Sequence, residues 1–222
     1  MIFKGKIILP VLLGIGIGLL AATAVFFCLG RKDANLPQPA AMLPANGQPN
    51  ALQTSAVPPL LEAAYATADA LYNEDYEALA ALSHSEDGVL FVPYSTVDKA
   101  LNLVFTAEQI KKFGSDPTEY IWGQYDGIGE PILLTPAAFC TAFLQMHDFT
   151  KAPVIGLNSV VKTGNSLENV AEAFPEAVFA DMHYPGFDPE LQGIDWLTLR
   201  LVFMPEGEAL KLVAVIHSAW TI

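Results

Sequence analysis

The sequence predicts an α+β domain, with helices packed on a curved antiparallel sheet, carried behind an N-terminal transmembrane helix and a disordered linker. Three observations predict this. An uncharged run fills Ile7–Gly30, apolar residues recur at helical spacing after Leu60, and three β-rich runs occupy the last 46 residues.

Ile7–Gly30 holds 24 residues with no charge and one hydroxyl, Thr23. At 1.5 Å per residue it spans roughly 36 Å, enough for a hydrocarbon core of about 30 Å. Its length favours an uncleaved signal anchor. Two alternatives compete: cleavage after Ala24, where Ala22-Thr23-Ala24 has the small-x-small pattern, and lipidation of Cys28, where Phe27 departs from the small residue expected before it. Lys4 and Lys6 precede the run while Arg31 and Lys32 follow it. The short basic head favours the N-terminus inside and the C-terminal domain outside the cytoplasm, single-pass in the cell membrane. Residues 1–32 are thus read as anchor, with the lipid bilayer as partner of Ile7–Gly30.

Residues 33–59 follow with six prolines, many Asn, Gln and Ala, and no aromatic residue. Such a stretch buries too little apolar surface to offset chain entropy and is read as a flexible tether. Residues 60–222 form the expected extracytoplasmic domain, long enough for its own core.

That domain carries 7 basic and 23 acidic side chains, a net charge of −16. A surface of this sign repels phosphate backbones, so nucleic acid is excluded as a partner. Cys28 lies in the anchor and Cys140 in the domain, so no internal disulfide is expected.

Within the domain Leu60, Leu61, Ala64, Ala68, Leu71 and Tyr72 recur at three- and four-residue spacings and predict a helix. Asp75 caps a second helix over Tyr76–Leu82. Gly88–Tyr94 is a short strand. Thr106-Ala-Glu-Gln109 is a capping box that opens a helix ending near Gly114. Glu119–Tyr125 and Ile132–Leu134 are strands around the turn dipeptide Asp126-Gly127. Thr135-Pro136 opens a helix running to about Asp148. Val154–Val161 is a strand, and Ser166–Asn169 starts a short helix.

Ala177–Tyr184, Asp195–Met204 and Leu210–Trp220 predict a three-strand meander with a hairpin at Pro205–Glu208. Alternation puts Leu197, Leu199, Leu201 and Phe203 on one face, and Arg200 with Thr198 and Val202 on the other. In the last strand Leu210, Leu212, Ala214 and Ile216 share a face, and Val215 and His217 the other.

Several stretches carry a resemblance: the helix–turn–strand opening Leu71–Phe91, Trp122–Ile132, Tyr184–Pro189, Asp195–Phe203 and Ile216–Ile222. Helices first and a curved antiparallel sheet last resemble the NTF2-like cone fold. The same stretches resemble exported or membrane-anchored proteins of Gram-positive bacteria that have no assigned chemistry. The resemblance therefore implies a fold but no activity.

No nucleophile elbow, zinc-protease helix, Walker loop or C-x-x-C is present, and no histidine pair has metal-ligand spacing, so no cofactor or metal is expected. Asp126-Gly-Ile-Gly-Glu130 sets two carboxylates about a glycine-rich turn; ordinary turn chemistry is the expected reading and a cation-touching functional loop the alternative, with too few oxygen ligands for a calcium loop. Arg200 and His217 are the leading pocket candidates, with Asp181 and His183 on the neighbouring strand and Trp122 and Tyr125 as wall. A satisfied buried Arg–Asp pair is the competing structural reading. The function expected is a membrane-anchored binding module for a small molecule or an envelope protein. The alternative is a small-pocket enzyme with His217 or His183 as general base and Arg200 holding an anion.

Overall fold

A computed structural model describes residues 51–221 of the chain. The anchor over residues 1–32 and the linker up to residue 50 lie outside the described residues. Residues 46–222 cluster as one compact unit, and among the described residues no helix is long and apolar enough to cross a membrane.

Helix α1 (Ala51–Tyr72) begins within the stretch read as linker, and its buried face opens at Leu60. Leu60, Ala64, Thr67, Ala68 and Leu71 are buried at one-turn intervals, so a single stripe faces the sheet. The alanines let that helix lie close to it. Helix α2 (Tyr76–Leu82) starts as expected, the Asp75 carboxylate accepting the Ala78 amide at 2.9 Å. Asn73–Asp75 breaks the chain between the two, with Glu74 at φ 56°.

Strands β1 (Val89–Val92) and β2 (Leu103–Phe105) pair antiparallel. Helix α3 (Ala107–Ile110) carries the full Thr106–Gln109 capping box. Strands β3 (Tyr120–Gln124) and β4 (Pro131–Leu134) form a separate two-stranded sheet. Helix α4 (Pro136–Phe139) has Thr135 as cap and Pro136 in its first turn, and passes into a π-helical turn over Cys140–Leu144. Strand β5 (Val154–Leu157) stops at Asn158, whose φ of 49° ends the extended run early. Helix α5 (Val170–Ala173) precedes the meander of β6 (Val178–Tyr184), β7 (Leu197–Glu206) and β8 (Ala209–Ala219).

The main sheet has the order β2-β1-β8-β7-β6-β5. All neighbours are antiparallel except β1 and β8, which run parallel with Leu90 opposite Ala214. The architecture is mixed α+β with a curved sheet, as expected.

Both faces of the sheet are covered. One packs on α1 and an aromatic cluster in which Trp122 stacks on Phe139 at 3.8 Å and 7° and on Phe105 at 5.3 Å and 27°, with Phe91 edge-on to Trp122 and Phe113 edge-on to Phe105. Such pairs add about 0.5–1.5 kcal/mol each beyond their burial. The other face carries Leu90, Val202, Val213, Ala214 and Ile216, packed against Val170, Phe174 and Phe179.

The register of β7 and β8 shifts between Val202 and Phe203. Below it Phe203 faces Leu212, and above it Val202 faces Ala214, so Val213 is the extra residue of a bulge. The faces expected for the last strand therefore swap at Val213. Leu212 packs in the aromatic-side core, while Ala214 and Ile216 pack on the opposite side.

Candidate functional site

The six residues read as one pocket are divided by this geometry among three places. Arg200 lies opposite Asp181 on β6 and Ile216 on β8, while His217 lies opposite Leu199. Directly paired residues share a face, so Arg200 and His217 lie on opposite faces of the sheet. This corrects the expected Arg–His pocket. The hairpin expectation lacked the bulge, and one extra residue reverses every side chain beyond it.

Arg200 is fully buried and held from both sides. Its Nε donates to Asp181 Oδ1 at 2.7 Å, Nη2 to Asp181 Oδ2 at 3.2 Å, and Nη1 to Glu168 Oε1 at 2.9 Å. Asp181, equally buried, also accepts the Val161 amide at 2.8 Å. Glu168 accepts the Val170 amide at 2.7 Å. The bidentate fork fixes Arg200 on Asp181 within the sheet, and its Nη1 contact to Glu168 ties the segment before α5 to it. Glu168 was missed in the sequence because it sits in an irregular stretch with no periodicity.

His183 shares that face. Its Nδ1 meets Thr198 Oγ1 at 2.8 Å, and its ring lies 5.8 Å from Trp196. Burial lowers its pKa below the usual histidine value, partly offset by Asp181.

His217 is buried on the aromatic side, against Phe143 and Tyr94. Its Nδ1–H donates to the Pro93 carbonyl at 2.8 Å, which fixes the tautomer and leaves Nε2 without a partner. Burial drives its pKa down, so the ring is neutral. Trp122 is inaccessible to any ligand: it is fully buried, and its indole N–H donates to the Leu134 carbonyl at 2.9 Å. Cys140 is buried as well, its thiol pushed up to about 12 by desolvation, so it is no nucleophile.

Tyr125 is the one member of the set that borders open space, at 36% exposed. It lines a cleft of about 460 Å³ between the β1–β2 connection and the β3–β4 turn. Tyr94, Asp98, Asn102, Gln124 and Asp126 converge there, and no basic side chain lines it. Tyr94 is half-buried, its phenol pKa raised by burial, and its oxygen accepts the Asp126 amide at 3.4 Å. His217 braces this wall from inside through Pro93 and Tyr94. Gly127 and Gly129 take φ of 78° and 69°, conformations that glycine adopts freely. The glycine-rich Asp126–Glu130 stretch was visible in the sequence. Its approach to Asp98 and Asn102 depends on tertiary packing.

No protein-family model matches the sequence, and no curated protein does. Among solved structures the chain is similar to an NTF2-like protein from Cytophaga hutchinsonii, at 15% identity over 77% of this chain and 98% of that one, with a TM-score of 0.29. It is also similar to a member of the NTF2-like family from Streptomyces avermitilis, at 12% identity over 75% and 97% of the two chains, with a TM-score of 0.29.

Proposed function

We propose that residues 60–222 are an NTF2-like binding module, held at the outer side of a membrane by Ile7–Gly30, that takes a small polar ligand in the Tyr94–Tyr125 cleft. The observation that carries the reading is the division of labour among the polar groups. Arg200, Asp181 and Glu168 saturate one another inside, and His217 lies across the sheet from Arg200. Polar side chains converge instead on one open cleft, where Asp98 and Asp126 each spend one oxygen, Oδ1, on a loop amide. Its volume is in the range of small-ligand sites, about 300–1,000 Å³. Two phenols and two carboxylates without a cation favour a neutral or cationic ligand over an anion.

The test is titration of the ¹⁵N-labelled intact chain with choline and, separately, acetate. Choline is expected to shift the amides of 98–102 and 123–129 saturably while acetate does not, and Tyr125→Ala weakens choline about tenfold. Turnover of any substrate that is abolished by both Arg200→Lys and His217→Gln would sink the binding reading. Membrane attachment is tested separately by alkaline extraction of cell membranes, from which the intact chain should not be released.

A further inference from the structure

A second cavity, of about 330 Å³, lies on the other side of the β1–β2 connection and shares no lining residue with the cleft. Leu90, Val104, Met204 and Val213 form its floor on the outer sheet face, and Phe174 at the end of α5 forms a wall. Leu90 and Val213 are buried, but Val104 on the edge strand β2 is 50% exposed. The groove is therefore an apolar slot open along one side.

Two charged residues reach it. Asp87 sits beside His84: its backbone amide donates to His84 Nδ1 at 3.2 Å, and its exposed carboxylate lies 3.2 Å from the same nitrogen. Lys99 is not engaged: its Nζ sits 4.3 Å from the Phe174 ring centroid, and among the described residues no carboxylate is within ion-pair distance. Lys111, Lys151, Arg200 and Lys211 are held by Glu108, Asp148, Asp181 and the Ala81 carbonyl; Lys112 and Lys162 have no such partner among the described residues, so what sets Lys99 apart is its place over Phe174 at the mouth of the groove. A cation–π contact orients an ammonium without neutralising it.

We infer that this groove binds an amphipathic anion, its alkyl chain on Leu90, Val104, Met204 and Val213 and its carboxylate paired with Lys99. An apolar slot with a single polar anchor at its mouth has the usual make-up of a small-ligand site. The anchor is a donor of positive charge, so it selects the head group. The net charge of −16 acts in the opposite direction, favouring cations everywhere else on the surface. A preference for an anion here would therefore be local to Lys99.

The experiment titrates octanoate, octanol and octylamine into the intact chain labelled with ¹³C on Met, Leu and Val methyl groups. Octanoate is expected to shift Leu90, Val104, Met204 and Val213 methyls saturably, about 2–5-fold tighter than octylamine, the range an exposed ion pair supports. Lys99→Met should bring octanoate down to the affinity of octanol, and Val104→Trp, on an exposed edge position, should fill the slot and abolish binding of all three. Equal affinities for octanoate and octylamine, an unchanged octanoate affinity in Lys99→Met, or no saturable shift at these methyls would each overturn the inference. The last outcome would mean that the slot is closed or already filled by protein.

Discussion

Replacing Arg200 with methionine tests the central polar network directly. The substitution preserves most of the side-chain stem but removes the guanidinium. Asp181, fully buried, would then keep only the Val161 amide, and Glu168 would lose its ion pair. Breaking a buried pair from one side leaves an uncompensated charge and costs about 3–5 kcal/mol. For a domain of this size each kcal/mol moves Tm by about 2–4 °C, so Arg200→Met should lower Tm by roughly 6–20 °C. The double variant Arg200→Met/Asp181→Leu removes the orphan charge and should recover most of that loss. Glu168 lies close enough to the surface to be hydrated, its side chain 15% exposed. Thermal and urea unfolding followed by far-UV circular dichroism would read both. A double variant no more stable than the single one would refute the reasoning, because the cost would then lie in lost packing. An Arg200→Met variant within about 1 kcal/mol of the parent would mean that the network carries little stability.

Further outcomes follow from other sites. His217 and His183 both have folded-state pKa values below the ordinary histidine value, so the unfolded chain takes up protons first as pH falls. Stability should be fully present above about pH 7 and decline toward pH 5.5 by up to ~1.4 kcal/mol per pH unit per ring; urea midpoints for His217→Phe should show a shallower slope. Gly88 has φ of 65°, and an added Cβ would meet the Phe105 carbonyl oxygen at 2.7 Å. Gly88→Ala should therefore cost more than the ~1–2 kcal/mol of the left-handed conformation alone, measured by chemical denaturation. Trp122→Ala empties the centre of the aromatic cluster and orphans the Leu134 carbonyl, with an expected loss of about 3–5 kcal/mol and loss of near-UV ellipticity. Asp195 accepts the Phe187 and Asp188 amides, which holds its carboxyl below the usual range. Asp195→Ala should speed hydrogen exchange at those two amides.

The parts of the fold that were legible in the sequence are those written in local chemistry. Asp75, Thr106 and Thr135 cap helices where a short polar residue precedes a helical run, and Leu197, Leu199, Leu201 and Phe203 alternate along a two-faced strand. Pairings that depend on distant residues were not legible. Strand β2 has three residues and no pattern of its own, and it exists because β1 offers it an edge. The candidate site failed at a single residue. Counting back from the two-residue turn at Gly207-Glu208 without a bulge would set Arg200 opposite Val215, on the face of His217. Val213 adds one position, Arg200 meets Ile216, and the two side chains part. No propensity in Leu210–Val215 marks that insertion. Trp122 and Tyr125 read alike as wall, and the sequence does not tell which is buried: Trp122 is fully buried and Tyr125 is exposed at the cleft. Asp98 and Asn102 were not legible, because their loop reaches the cleft only after the sheet has formed.

Strand β8 lies between β7 and β1, and its parallel partner Leu90 precedes Ala214 by more than half the chain. A ribosome that has released the chain up to Glu206 has therefore delivered a sheet with a gap at its centre. Helices α1 and α2, the β3–β4 hairpin and the aromatic cluster around Phe91 and Phe105 can form early, but β1 has no strand joining it to β7 until residues 209–219 emerge. Closure must come late and join segments far apart, which makes it slow. During that interval the nascent chain remains open to whatever factors meet it, and shortening β8 by a few residues would remove the keystone rather than trim an edge.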